Sequence, residues 1–329
     1  MSKVVVTGGC GFIGSHLVNQ LLLEGLEVTV LDNFSTGREE NLVNHIRNKS
    51  LTIIEGDICD YDLVKDVCKD SKWIFHLAAL ADIVPSIQTP INYHNSNVNG
   101  VVSVLEAARH VGVEKFIYAA SSSCYGIPDV TPTSEDAPIR PMYPYALTKN
   151  IGEQYALHWH HTYDLPVNSL RMFNVYGTRS RTSGTYGAVF GVFLAQKLAG
   201  VNYTVVGNGE QTRDFTYVSD IANAFVSLAC SDLNGQIMNV GSGNTYSVNR
   251  VVELLGGDIT YIPKRPGEPD CTFADITKIR KLLNWEPRVS LERGIDLMLE
   301  NINYWDEAPV WTPKGIEIAT REWFDYLKK

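Results

Sequence analysis

Glycines at positions 8, 11 and 14 stand between an apolar run, Val4 to Val6, and an apolar-periodic stretch from Phe12 to Leu23. Strand, glycine-rich turn and helix in that order leave few folds open. A turn without side chains brings the first N–H groups of a helix against a phosphate, where the helix dipole favours negative charge. The spacing G-x-x-G-x-x-G is one variant of the dinucleotide fingerprint, with Phe12 and Ile13 in the first helical turn. Asp32, followed by Asn33, falls 18 residues beyond Gly14, just after the next expected strand, Glu27 to Leu31. A carboxylate there accepts hydrogen bonds from an adenosine ribose and repels a 2′-phosphate, so NAD is expected rather than NADP. The plainer alternative is a capping aspartate after an ordinary tight turn.

Further apolar runs at Leu51 to Ile54, Trp73 to Leu77 and Lys115 to Ala120 alternate with helical patterns near Leu63 to Cys68 and Asn97 to Val111. Such alternation predicts an α/β fold, a Rossmann-type doubly wound parallel sheet. A helix over Tyr145 to Tyr163, strands at Val167 to Phe173 and Ile237 to Val240, and a helix within Phe215 to Cys230 extend it. Regularity fades over 174–212 and 242–329, which predicts a smaller, discontinuous substrate-binding lobe. The expected division gives 1–173 plus about 214–241 to an NAD-binding domain, and about 174–213 plus 242–329 to the lobe.

A net charge of −9 argues against nonspecific binding to nucleic acid or an anionic membrane. No run of about 18 apolar residues occurs, so a soluble, cytoplasmic protein is expected. The six cysteines show no C-x-x-C spacing, so buried free thiols are expected rather than a zinc site or disulfides. His158 and His161 could share a helical face but lack an obvious third ligand. No metal is expected, and these histidines read as partly exposed helix positions.

Tyr145-Ala146-Leu147-Thr148-Lys149 places a phenol and an ammonium at i and i+4, on one side of a helix. A nearby cation lowers a phenol's pKa toward neutrality, which suits a general base or acid. Y-x-x-x-K is common by chance. Ser121, at the carboxyl end of an expected parallel strand, lies 24 residues upstream and strengthens the pattern.

In that order the motifs resemble the extended short-chain dehydrogenases/reductases, specifically the nucleotide-sugar epimerases and dehydratases, over essentially the whole length. Besides the glycine turn, the resemblance rests on Asp57-Ile58, His76-Leu77-Ala78-Ala79, Asn97 and the Ser121, Tyr145, Lys149 set. It implies that Asp57 and Ile58 flank the adenine and that Leu77, Ala78, Ala79, Asn97, Tyr145 and Lys149 complete the NAD site, Lys149 at the nicotinamide ribose. The stretches Arg171 to Gly177, Arg213-Asp214-Phe215 and Arg265-Pro266-Gly267-Glu268 resemble the family's nucleotide-diphosphate contacts. By that likeness Asn174, Arg213 and Arg265 hold the diphosphate and Glu268 the ribose. Arginine forks suit the two or so negative charges of a nucleoside diphosphate.

In 4,6-dehydratases the segment here read as Ser121-Ser122-Ser123-Cys124-Tyr125-Gly126 resembles Thr-Asp-Glu-x-Tyr-Gly, and decarboxylases commonly keep a glutamate there. With Ser122 and Ser123 in place of the acids, elimination has no obvious acid or base. The resemblance then implies 4-epimerisation through a transient 4-keto sugar, Ser122 and Ser123 serving as hydrogen-bonding partners of the hexose. Thr272, four residues after Glu268, is small where a bulky residue excludes N-acetylhexosamines. Tolerance of UDP-GlcNAc/UDP-GalNAc as well as UDP-glucose/UDP-galactose is expected, with uridine the family default. A 4,6-dehydratase, a 4-dehydrogenase and a non-enzymatic NAD-binding regulator remain alternatives. The family also implies a homodimer formed through the Tyr145 helix and its neighbour. The aromatic tail, Trp305, Trp311, Trp323, Phe324 and Tyr326, is expected to pack on the lobe or at a subunit contact, without chemistry.

Overall fold

Valine- and isoleucine-rich runs that bury both faces pair in parallel, and the helices between them cover those faces. The computed structural model describes residues 2–180 and 187–327. The chain runs β1 (Lys3–Thr7), α1 (Phe12–Leu23), β2 (Glu27–Asp32), β3 (Leu51–Glu55), α2 (Tyr61–Cys68) and β4 (Trp73–His76). Two short helices, α3 (Ile83–Gln88) and α4 (Pro90–His94), lead through a π-helical turn into α5 (Gly100–Val111). Next come β5 (Lys115–Ser121), α6 (Pro144–Tyr163) and β6 (Val167–Met172). The remainder is β7 (Val175–Tyr176), α7 (Val189–Leu198), β8 (Tyr203–Val206), β9 (Thr212–Arg213), β10 (Thr216–Tyr217), α8 (Val218–Ala229) and β11 (Gln236–Val240). After β12 (Tyr246–Ser247), α9 (Val248–Leu255) and β13 (Ile259–Ile262), the chain ends in α10 (Thr277–Leu283), α11 (Leu291–Glu300), α12 (Pro313–Ala319) and α13 (Arg321–Leu327).

Seven strands form the main sheet in the order β11-β6-β5-β4-β1-β2-β3, all parallel. Successive strands fan out in opposite directions from the β1/β4 pair, so a crevice opens beyond the carboxyl ends of those two strands. Side chains alternate across the sheet: Val4 and Val6 join the core under α1 and α8, whereas Val5 joins the one under α2, α5 and α6. The lobe has its own core around Tyr176, Phe190, Phe193, Phe215 and Trp305, with the Tyr176 and Phe190 rings stacked 4.6 Å apart.

Several expectations are corrected here. Helices α3 and α4 were not anticipated, because Pro85 and Pro90 interrupt the pattern; each stands in a first turn, where a missing N–H is harmless. Ala274, Ile276, Ile279 and Trp285 pack into the sheet's core, so the stretch after 242 is not wholly given to the lobe. The six cysteines are free, but only Cys10, Cys68 and Cys124 are buried; Cys59 and Cys230 are exposed and Cys271 is intermediate. Among the described residues, no helix is long and apolar enough to cross a membrane.

Candidate active site

A cleft of about 670 Å³ lies over the crevice, walled on one side by the sheet's carboxyl edge and on the other by the lobe. Gly8, Gly11, Phe12, Ile13, Gly14, Asp32, Asn33, Ile58, Leu77, Ala78 and Ala79 line one end. Gly8 adopts φ +72°, and a Cβ there would meet the Ala78 backbone at 2.7 Å. A Cβ on Gly14 would collide with the Gly8 carbonyl oxygen. Positions 8 and 14 are therefore closed to side chains, and Gly11 at the N-cap of α1 supplies no capping group to the first-turn N–H groups. Asp32 is anchored by N–H donation from Cys10 to Oδ2 and from Phe34 to Oδ1, both 2.9 Å. Burial raises its pKa from the ordinary value, and those two hydrogen bonds oppose the rise.

Two residues expected at this end do not line the cleft. The Asp57 carboxylate instead accepts from Cys59 N–H at 2.8 Å and from Asn33 Nδ2 at 3.0 Å. Asn97 is fully buried. Its amide donates to Leu80 O (2.9 Å) and Thr148 Oγ1 (3.1 Å), while its oxygen accepts from Leu80 N–H (2.8 Å). It thus pins the segment after Ala79 against α6. Arg38 and Arg179 do line the cleft and were not anticipated; isolated arginines in loops carry no sequence signal.

At the middle of the cleft, Ser121, Ser122 and Ser123 meet Tyr145 and Lys149. Ser121 and Ser123 share a hydrogen bond of 2.9 Å between hydroxyls, and Ser123 N–H donates to Ser121 Oγ at 3.2 Å. Pro144 opens α6 with its fixed φ, so Tyr145 stands in the first turn and Lys149 one turn deeper. Burial raises the Tyr145 pKa from its ordinary value, and a hydrogen bond with Ser121 opposes it. The nearby Asp82 carboxylate pushes in the same direction as burial. Lys149 itself is buried over the Tyr118 ring, 4.5 Å from its centroid, and burial pushes its pKa down to about 7.

Beneath α6 lies a buried network that the sequence did not announce. Arg171 donates from Nε and Nη2 to Glu153 at 2.6 to 3.1 Å, and from Nη1 to the Tyr125 hydroxyl at 2.9 Å. Ser169 Oγ donates to Glu153 at 2.6 Å, and Tyr125 donates to Asn239 Oδ1 at 2.7 Å. Arg171, quoted among the diphosphate motifs, therefore faces the core and clamps the Tyr145 helix to β6.

The lobe end brings Asn174, Arg213, Arg265, Glu268 and Thr272 to one wall. Glu268 lies between the arginines, 3.0 Å from Arg265 Nη1 and 3.8 Å from Arg213 Nη2. Burial lowers the Arg213 pKa, and Glu268 opposes that. Thr272 is not a strand residue; its hydroxyl donates to Asn174 Oδ1 at 2.6 Å and accepts from Asp214 N–H at 3.2 Å. Asp214, fully buried, receives Ser242 N–H and Oγ at 2.6 and 2.7 Å and Ala274 N–H at 3.0 Å. Those bonds fix the end of β9, from which Arg213 reaches the cleft. The aromatic tail packs on the lobe as expected, through Trp305 and Trp311, and Trp311 and Trp323, with Tyr304 beside them in sequence, also line the cleft.

A glycine cradle at the switch point of this sheet, with a buried Tyr-x-x-x-Lys helix across from it, defines the extended short-chain dehydrogenase/reductase class. More narrowly, residues 5–298 match the family described as GDP-mannose 4,6 dehydratase, and the chain belongs to it. UDP-glucose 4-epimerase of Mycolicibacterium smegmatis is 37% identical over 306 residues, 91% of this chain and 97% of that one. UDP-glucuronic acid decarboxylase 1 of Xenopus tropicalis is 34% identical over 89% of this chain and 70% of its own length. A solved UDP-N-acetylglucosamine 4-epimerase from Methanobrevibacter ruminantium, in complex with UDP-N-acetylmuramic acid, is 35% identical with a TM-score of 0.85. It covers 91% of this chain and 99% of its own. The chain is accordingly an enzyme of an NAD-dependent nucleotide-sugar epimerase and dehydratase family.

Proposed function

We propose that this enzyme is a 4-epimerase of a UDP-linked hexose, with Thr272 admitting N-acetylated sugars. The observation that carries the reading is the pair Ser122 and Ser123 on the cleft wall beside Tyr145. Eliminating water needs an acid for the departing hydroxyl and a base for the carbon-bound proton. Among the carboxylates lining the cleft, Asp32 lies at the glycine end and Glu268 is paired with two arginines. Asp82 alone stands near Tyr145, and one carboxylate does not supply both roles.

The residues present fit NAD. The side-chain-free turn of Gly8, Gly11 and Gly14 and the uncapped start of α1 suit a pyrophosphate, and the anchored Asp32 carboxylate suits an adenosine ribose. Phe12, Ile13, Asn33, Ile58, Leu77, Ala78 and Ala79 would form the rest of its walls, and Lys149 would hold the nicotinamide ribose. NAD held there would supply the hydride acceptor, and after rotation of the keto sugar the hydride donor, for C4. Tyr145 removes the C4 hydroxyl proton and later gives it back, while Ser121 hydrogen-bonds the reacting oxygen. Arg213, Arg265 and Asn174 grip the diphosphate and Glu268 the ribose, so the hexose can turn while the nucleotide stays held. We further propose a homodimer through α5 and α6, on which Leu147 and Tyr155 are exposed; light scattering of the purified protein tests it.

The deciding experiment incubates the purified protein with UDP-N-acetylglucosamine and, separately, UDP-glucose, without added NAD. Proton NMR and mass spectrometry should find a C4 epimer of unchanged mass. A product lighter by one water would replace this reading with a dehydratase.

A further inference from the structure

The last 31 residues, 299–329, lie beyond the stretch that matches the family. Their described part nonetheless builds against the site. Trp323, on α13, is 2% exposed and lines the cleft. Its indole N–H donates to Pro266 O at 2.8 Å, inside the Arg265-Pro266-Gly267-Glu268 turn. Its ring lies under the Arg265 guanidinium, 5.4 Å from the centroid, and 6.4 Å from the ring of Tyr143, which caps the Tyr145 helix. Helix α13 also packs on α3, so it spans from the sheet's side of the cleft to the lobe's. One tail residue therefore touches the phosphate-facing turn, its arginine and the entry to the acid–base helix.

We infer that Trp323 is a positioning residue for nucleotide binding: it holds Arg265 and its turn at the angle needed to grip the substrate's diphosphate. An arginine side chain has several rotatable bonds, and fixing it before the ligand arrives removes part of the entropy lost on binding. The ring face does this without competing for the guanidinium's N–H groups, whereas Glu268 occupies one of them. The indole N–H fixes the turn itself through a backbone carbonyl. The tail is in this sense a built-in buttress that the matched region of the family does not include.

This inference rests on the reading that the cleft takes a nucleoside diphosphate sugar, and the test separates the two. The probe is UDP, titrated calorimetrically into the NAD-loaded enzyme. Trp323→Leu keeps apolar bulk but loses the ring face and the N–H; it should weaken UDP about tenfold while leaving the bound NAD content unchanged. Trp323→Phe keeps a ring, folds with least disturbance, and should fall between parent and Leu. In a cycle with Arg265→Ala, Trp323→Leu should cost clearly less than it does alone, because the ring's share of the effect runs through the Arg265 guanidinium. UDP affinity that is flat across Trp, Phe and Leu, or fully additive losses in the cycle, would overturn the inference. Failure of UDP to bind the parent enzyme would instead overturn the nucleotide-sugar reading itself.

Discussion

The two walls of the cleft are built on different principles. On the sheet side, Asp32 is fixed by backbone N–H groups from Phe34, two residues on, and from Cys10, 22 residues back in the turn of the preceding strand–turn–helix unit. On the lobe side, Asp214 accepts from Thr216, two residues on, but is fixed mainly by Ser242 and Ala274, 28 and 60 residues away. The first wall is assembled from one repeated local unit, strand, turn and helix; the second from distant segments tied by single side chains. Local assembly yields a rigid, generic holder for a cofactor. Distant assembly yields a wall whose details can vary without disturbing the sheet, which suits the part that recognises the substrate.

If that division holds, substitutions on the two walls fail differently. Tyr145→Phe removes the proton carrier without touching either nucleotide site; turnover should drop roughly 10³-fold with bound NAD retained, measured by coupled assay and by absorbance of extracted cofactor. Arg213→Ala strikes the lobe wall, and losing a charge-assisted contact of about 1.5–3 kcal/mol should raise KM for the nucleotide sugar roughly 10- to 100-fold. Its NAD content should stay at the parent's level; loss of NAD from this variant would dissolve the contrast between the walls. Thr272→Tyr adds bulk beside Asn174 and should shift preference from the acetylated to the plain hexose by about tenfold, read as a ratio of kcat/KM values.

The smallest effect sharpens the picture of the sheet side. Burial holds Lys149 at about 7, against an ordinary 10.5. Below pH 7 the folded and unfolded chains both carry its charge, and the fold bears the full cost of burying it. Between 7 and 10.5 only the unfolded chain keeps the proton, so that cost fades as pH rises. Lys149→Met in NAD-free protein should therefore raise Tm by a few degrees at pH 6, with the gain shrinking toward pH 10. A gain independent of pH would mean that the ammonium is not desolvated as its position over Tyr118 implies.

The sheet half could be read from sequence because its signals are local. Helix α1 begins at Phe12 and ends at Leu23 as its periodicity predicts, and β2 runs into Asp32. On that wall Gly8, Gly11, Gly14 and Asp32 follow from the turn and its spacing, Ile58, Leu77, Ala78 and Ala79 came only through the resemblance, and Asp57 and Asn97 bond to neighbouring segments instead. The lobe's strands are often two residues long, as at Val175–Tyr176 and Thr216–Tyr217, and their pairing is set by tertiary contacts. No hydrophobic period exists in two residues. The motifs around Arg213 and Arg265 were visible only through family resemblance, and the Glu153–Arg171 pair, like Trp323, only once the chain was folded.

The cores of the two lobes are interleaved along the chain: the sheet's core takes residues up to Phe173, then Ile221 to Val240, then Ala274 to Trp285, with lobe segments between. Such a lobe is not a module. No single cut releases it, no single junction lets it be exchanged for another enzyme's, and a graft that altered sugar choice would have to replace three stretches of chain in concert. New specificities in this architecture are therefore reached most directly by changing individual wall residues, such as Thr272, that face the cleft without entering the sheet.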